Sequence, residues 1–382
     1  MHEVRDLVAG MRERASVTDS TGQFPTEDFA RLRSAGLLGL LVPERLGGRG
    51  AGFADYVDVA HHLGRGNGST GLIFNMHACV TGVLALTPDE LVRRLGAGDA
   101  WFEHRDAVLR AAAAGSLYAV AMSERGTGSR LSRLSTGYFR EDDGYRIKGA
   151  KAFVSGAGHA DAYLVAARRH DDPTTISQFL VPAGEGVTVE PTWDTMGMRA
   201  TTSHDLHLDV RVDDTALLGG REGLALPAAQ IAPHWMVASY AAVYVGVATA
   251  AVEEAAAEVR RRGLGTVPSV RSRLGRADAA VAAAHAVVTR AARACDDGDP
   301  EAPQWVWRAK LIAGDTAAEV TASMMEVCGA SAIRRGNPLE RLYRDARCGA
   351  LQPATSDVCA DWLGVSALGG DPYADTVAGP RW

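Results

Sequence analysis

From about Gly115 to Gly219 the sequence alternates with period two, and no segment long enough for a helix interrupts it. In "DLHLDVRV", Leu206, Leu208, Val210 and Val212 fall on one side, and His207, Asp209 and Arg211 on the other. "GYFREDDGYRIKG" places two short alternating runs around Asp143-Gly144, a hairpin signal. "AYLVAA" and "SQFLVPA" add two more strands. Strand follows strand without an intervening helix, so the expectation is an antiparallel sheet or barrel and not a βαβ arrangement.

On both sides the period becomes helical. Before the sheet, Phe53, Val57, Ala60 and Gly64 recur at helix spacing, as do Leu91 and Leu95, and "VPERLGGRGAG" marks a glycine turn. After it, Val237 to Val259 is apolar on nearly every face, as in the central helix of a bundle. Ala313, Ala317, Val320, Met324 and Val327 form a one-sided stripe, and the Gly/Pro-broken basic loop "RRRGLGTVPSVRSR" lies between. The chain therefore divides at about 1–113, 114–219 and 220–382 into helical, β and helical parts.

Composition excludes several classes. Forty Lys+Arg against 46 Asp+Glu leave a net charge of −6, with no basic block, so no nucleic-acid partner is expected. The five cysteines, Cys79, Cys295, Cys328, Cys348 and Cys359, are far apart and form no CxxC, which fits a reduced interior without structural zinc. "MHEVRDLVAGMRER" is too charged for a signal peptide, and no apolar run reaches ~18 residues, so the expectation is a cytoplasmic chain without a membrane partner.

Most catalytic motifs are missing. His204 and His207 fall on opposite faces of a strand, His61 and His62 are adjacent on a helix, and neither pair converges on a metal. There is no Walker loop and no GxSxG elbow, and "SGAGHAD" lacks the third glycine and the helix of a dinucleotide fingerprint. Two segments remain. "YAVAMSERGTGSR" runs a strand into a Ser/Gly turn, whose N–H groups and hydroxyls suit a flat polar heterocycle or a phosphate. "GAKAFVSGAGHAD" puts Phe153 and Ser155 on one face of a second strand, an aromatic plane beside a hydroxyl; the plain alternative is a hairpin with a core Phe.

The order of "GLLGLLVPERLGGRG", "AMSERGTGS", "KGAKAFVS", "MGMRATTS" and "CGASAIRRGNPLERLYRDAR" resembles the acyl-CoA dehydrogenase family over nearly the whole chain. The resemblance implies an α+β fold: an N-terminal helical domain, a middle antiparallel β-domain and a C-terminal four-helix bundle. It implies FAD between the last two domains, in a homodimer or homotetramer whose subunits touch each other's flavin. Met122 and Ser123 match the family's strand-end pair beside the flavin ring. Phe153 matches the aromatic over the ring, and Ser155 the hydroxyl near N5. Arg262 falls where the family places an arginine on the neighbour's FAD pyrophosphate, though Leu264 and Gly265 replace the usual Thr-Phe. Glu326 and Gly329 match the turn at the adenosine side, with Glu for the common Gln. Thr355 and Asp357 stand where a Thr and a Gln reach FAD. Ser129 matches a serine near the pantetheine arm of the substrate.

One expected group is missing. Counted from Arg344, the family's α-proton base falls on Pro353, and its alternative place falls on Met236; neither residue accepts a proton. His77, in "FNMHACVTG", falls on the acyl pocket, where it can shuttle a proton, bind a polar substrate or be a satisfied core residue. His234 and Tyr240 flank the second base position. The resemblance implies a flavin-dependent dehydrogenase. Its substrate would be a small or polar acyl thioester, on CoA or an acyl carrier protein, in a biosynthetic pathway, and its electrons would pass to an electron-transfer flavoprotein. The alternatives are a flavin monooxygenase using reduced flavin and O2, which needs no α-proton base, and a non-catalytic flavin-binding relic.

Overall fold

The computed structural model describes residues 2–128, 130–226 and 233–373, with side chains throughout except at 2–3 and 233–239. Six helices come first: α1 (His2–Thr21), α2 (Thr26–Ser34), α3 (Phe53–Gly66), α4 (Gly68–Leu86), α5 (Asp89–Arg94) and α6 (Asp99–Ala113). The strands are β1 (Tyr118–Ala121), β2 (Gly137–Glu141), β3 (Gly144–Val154), β4 (Ala162–Arg169), β5 (Ile176–Pro182), β6 (Val187–Glu190) and β7 (His204–Val212). Helices return as α7 (Pro233–Arg261), α8 (Pro268–Asp296), α9 (Ala302–Cys328), α10 (Pro338–Arg347) and α11 (Ser356–Ala367).

The strand order is β1-β4-β2-β3-β7-β6, with β5 also on β4. Asp142 and Asp143 turn the β2–β3 hairpin, where Glu141 pairs with Gly144. Along β7, Leu206, Leu208, Val210 and Val212 are buried, and His207, Asp209 and Arg211 are exposed, as the alternation predicts. The sheet is mixed, a correction to the antiparallel expectation: β1 and the start of β2 run parallel to β4. A parallel pair needs a long connection. Between β1 and β4 the β2–β3 hairpin supplies it, so no helix is required.

In α7, residues Tyr240 to Val245 are all buried, as are Val247, Ala248, Ala250 and Ala251. This helix lies on α3 and α4 on one side and on α8, α9 and α10 on another. The α3–α7 crossing is close because it is made of glycine: a Cβ on Gly64 would stand 2.2 Å from the Val243 carbonyl oxygen, and one on Gly246 2.2 Å from that of His61. α9 packs on α7, α8, α10 and α11. α4 is long and apolar enough to cross a bilayer, with mean hydropathy 1.4, but 83% of that stretch is buried against β1, α3 and α7. It is a core helix, longer than the sequence reading allowed because Asn75, His77 and Thr81 interrupt its apolar residues without ending the helix.

Candidate functional site

The site is built from the ends of β1 and β3. Beyond β1, the Ser123 carbonyl accepts the Ala152 N–H at 2.9 Å, which ties Met122-Ser123 to the strand that carries Phe153. A buried ion pair backs this contact: Lys151 Nζ donates to Glu124 Oε1 at 2.7 Å, both side chains being almost wholly enclosed. Glu124 also accepts from the Ser135 N–H and Oγ–H and from the Thr136 N–H. Burial alone would raise the Glu124 carboxyl, but the Lys151 charge and these hydrogen bonds more than reverse it and hold it at about 2. Sequence reasoning passed over both residues, because 27 positions separate them.

The β3–β7 ladder shifts register between Lys151 and Val154. The irregularity turns Phe153 out: its φ is 60°, and it stays 62% exposed. A bulky residue in the left-handed region is strained, and such strain gathers at functional sites. The Trp193 ring meets Phe153 edge-on, with centroids 6.2 Å apart, and is itself fixed by Nε1–H donation to the Met198 carbonyl. Beside Phe153, the hydroxyls of Ser155, Ser203 and Thr201 form a chain at 2.9 and 2.7 Å. Thr202, with φ 45°, carries a buried Oγ1 that has no partner, and so does Thr127 in the turn after Glu124. An exposed aromatic face, a hydroxyl chain and two unmatched hydroxyls can hold a flat heterocycle with polar edges.

α10 sets the position of the loop that carries these hydroxyls. Asp345 Oδ1 accepts the Met198 N–H at 2.6 Å, and Arg344 donates to the Met196 carbonyl while forking onto Asp19 and Glu340. The loop comes so near that a Cβ on Gly197 would stand 2.3 Å from the Arg344 carbonyl oxygen. "RDAR" is thus the strut of "MGMR".

The turn from Cys348 to Thr355 joins α10 to α11. Lys310 of α9 lies beneath it, 1% exposed, and donates to the carbonyls of Gly349 at 2.7 Å and Gln352 at 3.2 Å. Burial lowers the Lys310 ammonium to about 8. Thr355 caps α11 by accepting the Val358 N–H at 3.3 Å; Pro353 and Asp357 are exposed. The residues expected at the pyrophosphate and the adenosine side form a separate group. Arg262 Nη1 donates to the Cys328 carbonyl at 2.7 Å, next to Gly329, and Glu326 is paired with Arg273.

His77 stands apart from all of these. It is 1% exposed; Nε2–H donates to the Leu38 carbonyl at 2.7 Å, and Nδ1 accepts the Tyr118 N–H at 3.1 Å. Burial lowers its pKa to about 4, so the ring is neutral and both nitrogens are occupied. Tyr118 opens β1 and Met122 follows it, so His77 is bound about 13 Å along the strand from the site. Tyr240 is buried, with its hydroxyl toward Met76 Sδ at 3.9 Å. Ser129 lies outside the described residues, and so do the side chains of His234 and Met236.

Comparison with known proteins agrees with this architecture. The acyl-CoA dehydrogenase N-terminal, middle and C-terminal domain families match residues 1–98, 119–210 and 229–361. The chain belongs to the acyl-CoA dehydrogenase family and is an enzyme of the flavin oxidoreductase class. It is 31% identical to the putative acyl-CoA dehydrogenase YdbM of Bacillus subtilis, over 96% of each chain. It is also 31% identical to the amino sugar nitrososynthase DnmZ of Streptomyces peucetius, over 92% of this chain and 88% of that one. The structure of KijD3 in complex with FMN and dTDP-3-amino-2,3,6-trideoxy-4-keto-3-methyl-D-glucose superposes with a TM-score of 0.84 at 26% identity, covering 95% of this chain and 91% of the other.

Proposed function

We propose that the chain is a flavin-dependent monooxygenase that oxygenates the amine of a nucleotide-linked amino sugar and does not desaturate an acyl thioester. One observation carries this reading: no proton acceptor stands at the turn. Position 353 is proline, and His77, the strongest substitute by sequence, has both nitrogens committed to backbone. A general base contributes about 10²–10⁴-fold to a proton abstraction, so α-carbon chemistry is poorly served here. An amine already holds a lone pair and needs no such base. The balance is two electrons from the reduced flavin, one oxygen atom of O2 to nitrogen and the other to water. The likeness to DnmZ and KijD3 supports an amino sugar substrate.

The residues fit a flavin ring: the Thr202 and Thr127 hydroxyls are buried and unmatched, and Phe153 is turned outward. Met122, Ser123, Phe153 and Ser155 would hold the ring, with Thr355 at its approach from the turn. When bound and reduced, the flavin supplies activation of O2. The chain's own groups orient the ring, and Trp193 limits how far Phe153 can swing. At the place expected for the pyrophosphate, Arg262 has given Nη1 to a carbonyl, and on the adenosine side Glu326 is tied to Arg273, which favours FMN over FAD.

The test has two arms. Anaerobic mixing of flavin-loaded enzyme with CoA and acyl-carrier thioesters is expected to leave the flavin oxidised. Reduced FMN, O2 and a dTDP-3-amino sugar are expected to yield a product heavier by one oxygen atom. Bleaching by a thioester would overturn the proposal in favour of a dehydrogenase, and absence of both reactions in a flavin-binding protein would leave the relic.

A further inference from the structure

Two lysines are almost completely buried, and each donates to the backbone or side chain of a segment that the site reading uses. Lys151 secures the end of β1 and has Glu124 as its counter-ion. Lys310 secures the turn between α10 and α11 and, among the described residues, has no carboxylate within salt-bridge distance. Burying an uncompensated ammonium is costly. In return it forms two charge-assisted hydrogen bonds, both to carbonyls of a single turn. Those carbonyls, of Gly349 and Gln352, bracket the segment just before Pro353 and Thr355. Helix ladder bonds do not reach them: Gln352 N–H and Leu351 N–H both turn back onto the Cys348 carbonyl, and the Ser356 N–H onto that of Ala350. Nζ therefore anchors the carbonyls of this turn to the long helix α9, and just after the turn Ser356 Oγ–H adds a bond to Asp315 Oδ1 of the same helix at 2.8 Å.

We infer that Lys310 is a positioning residue of the site, acting through the backbone of the 349–352 turn to set where Thr355 and position 353 stand against the flavin. The inference rests on the reading that this turn faces the flavin. The contacts are hydrogen bonds, so donors at this position matter more than charge. A neutral amide of similar reach should serve, and a thioether of the same length should not.

The experiment compares the full-length protein with Lys310→Met and Lys310→Gln. It measures FMN dissociation constants by fluorescence, amide exchange over 348–356 by mass spectrometry, and thermal midpoints. In Lys310→Met, exchange over 348–356 is expected to rise while the rest of the chain keeps its protection, and the FMN dissociation constant to rise about tenfold or more. Lys310→Gln is expected to recover most of both. A lysine that only supports the fold would lower the thermal midpoint and leave local exchange and flavin affinity of the folded protein alone; that result overturns the inference. Unchanged exchange in Lys310→Met also overturns it and leaves the flavin site standing. Faster exchange with unchanged FMN affinity overturns the placement of the turn beside the flavin, and the inference with it. Should Lys310→Met fail to fold, Lys310→Gln decides: native exchange and affinity support the role of the donors, and loosened exchange overturns it.

Discussion

At the scale of single residues, buried polar groups act as struts, some of them through backbone partners alone. His77 joins the Leu38 carbonyl to the Tyr118 N–H, and so ties α4 to the loop after α2 and to β1. His77→Ala leaves both backbone groups unsatisfied in a dry core and should cost about 2–5 kcal/mol in urea unfolding. Turnover per folded molecule should stay unchanged; a folded variant with slowed chemistry would return His77 to the mechanism. Glu124 is the opposite case, a charged strut. Its carboxyl lies at about 2 in the fold against an ordinary 4.5, so it contributes stability above pH 4.5 that is lost as pH falls toward 2. Glu124→Gln strands the Lys151 charge and should destabilise by about 3–5 kcal/mol. The variant should also show a flatter unfolding midpoint below pH 4.5 than the parent protein. Pro353→Glu tests the missing base directly: position 353 is exposed, so the variant should fold with a change within about 0.5 kcal/mol. Anaerobic flavin reduction by a short acyl-CoA, absent in the parent, is the expected gain.

At the scale of elements, α3, α7 and α8 meet at a histidine cluster. His61 Nε2 lies 3.0 Å from Thr249 Oγ1 of α7, and its ring meets that of His285 of α8 with centroids 4.6 Å apart. Burial, with His285, His62 and Arg65 adding to it, pulls His61 from 6.5 to about 3. A histidine kept neutral by the fold takes up a proton more readily when unfolded. Its contribution is therefore complete above pH 6.5 and declines as pH falls toward 3. Between pH 6.5 and 4.5 this decline precedes that of Glu124. His61→Gln, which can keep a bond to Thr249, should flatten thermal midpoints from pH 6.5 down toward 3; an unchanged slope would place the acid sensitivity elsewhere. The sheet carries a second lesson at this scale. Most strand positions were legible because alternation survives in one dimension, as Leu206 to Val212 show; the four-residue β6 was too short to read. The parallel pairing of β1 with β4 was not, because which edge a strand joins depends on the length and path of the connection.

At the scale of the molecule, the flavin reading and the assembly can be separated. The expectation from the family is a homodimer or homotetramer, with Arg262 reaching a neighbour's cofactor. Light scattering is expected to give a dimer or tetramer, and a monomer that still retains flavin would contradict it. If the cofactor is FMN, Arg262→Ala should leave FMN affinity within about twofold, because its Nη1 is occupied by the Cys328 carbonyl. A marked loss of flavin would instead support FAD and a contact across subunits.

Read by itself, the sequence determined the order of helical, β and helical parts, most of the strands, the buried central helix and the family. Each of these is a periodic or contiguous pattern that does not depend on distant partners. It also singled out Phe153, Ser155 and Pro353 for testing, since those lie within short motifs. Only the tertiary structure decided what the buried polar residues do. His77 finds its partners 39 and 41 positions away, and Lys310 finds its own 39 and 42 away. A histidine or lysine in an apolar helix looks the same in sequence whether it is a catalyst or a strut. The difference lies in which groups occupy its nitrogens, and folding alone brings those groups together.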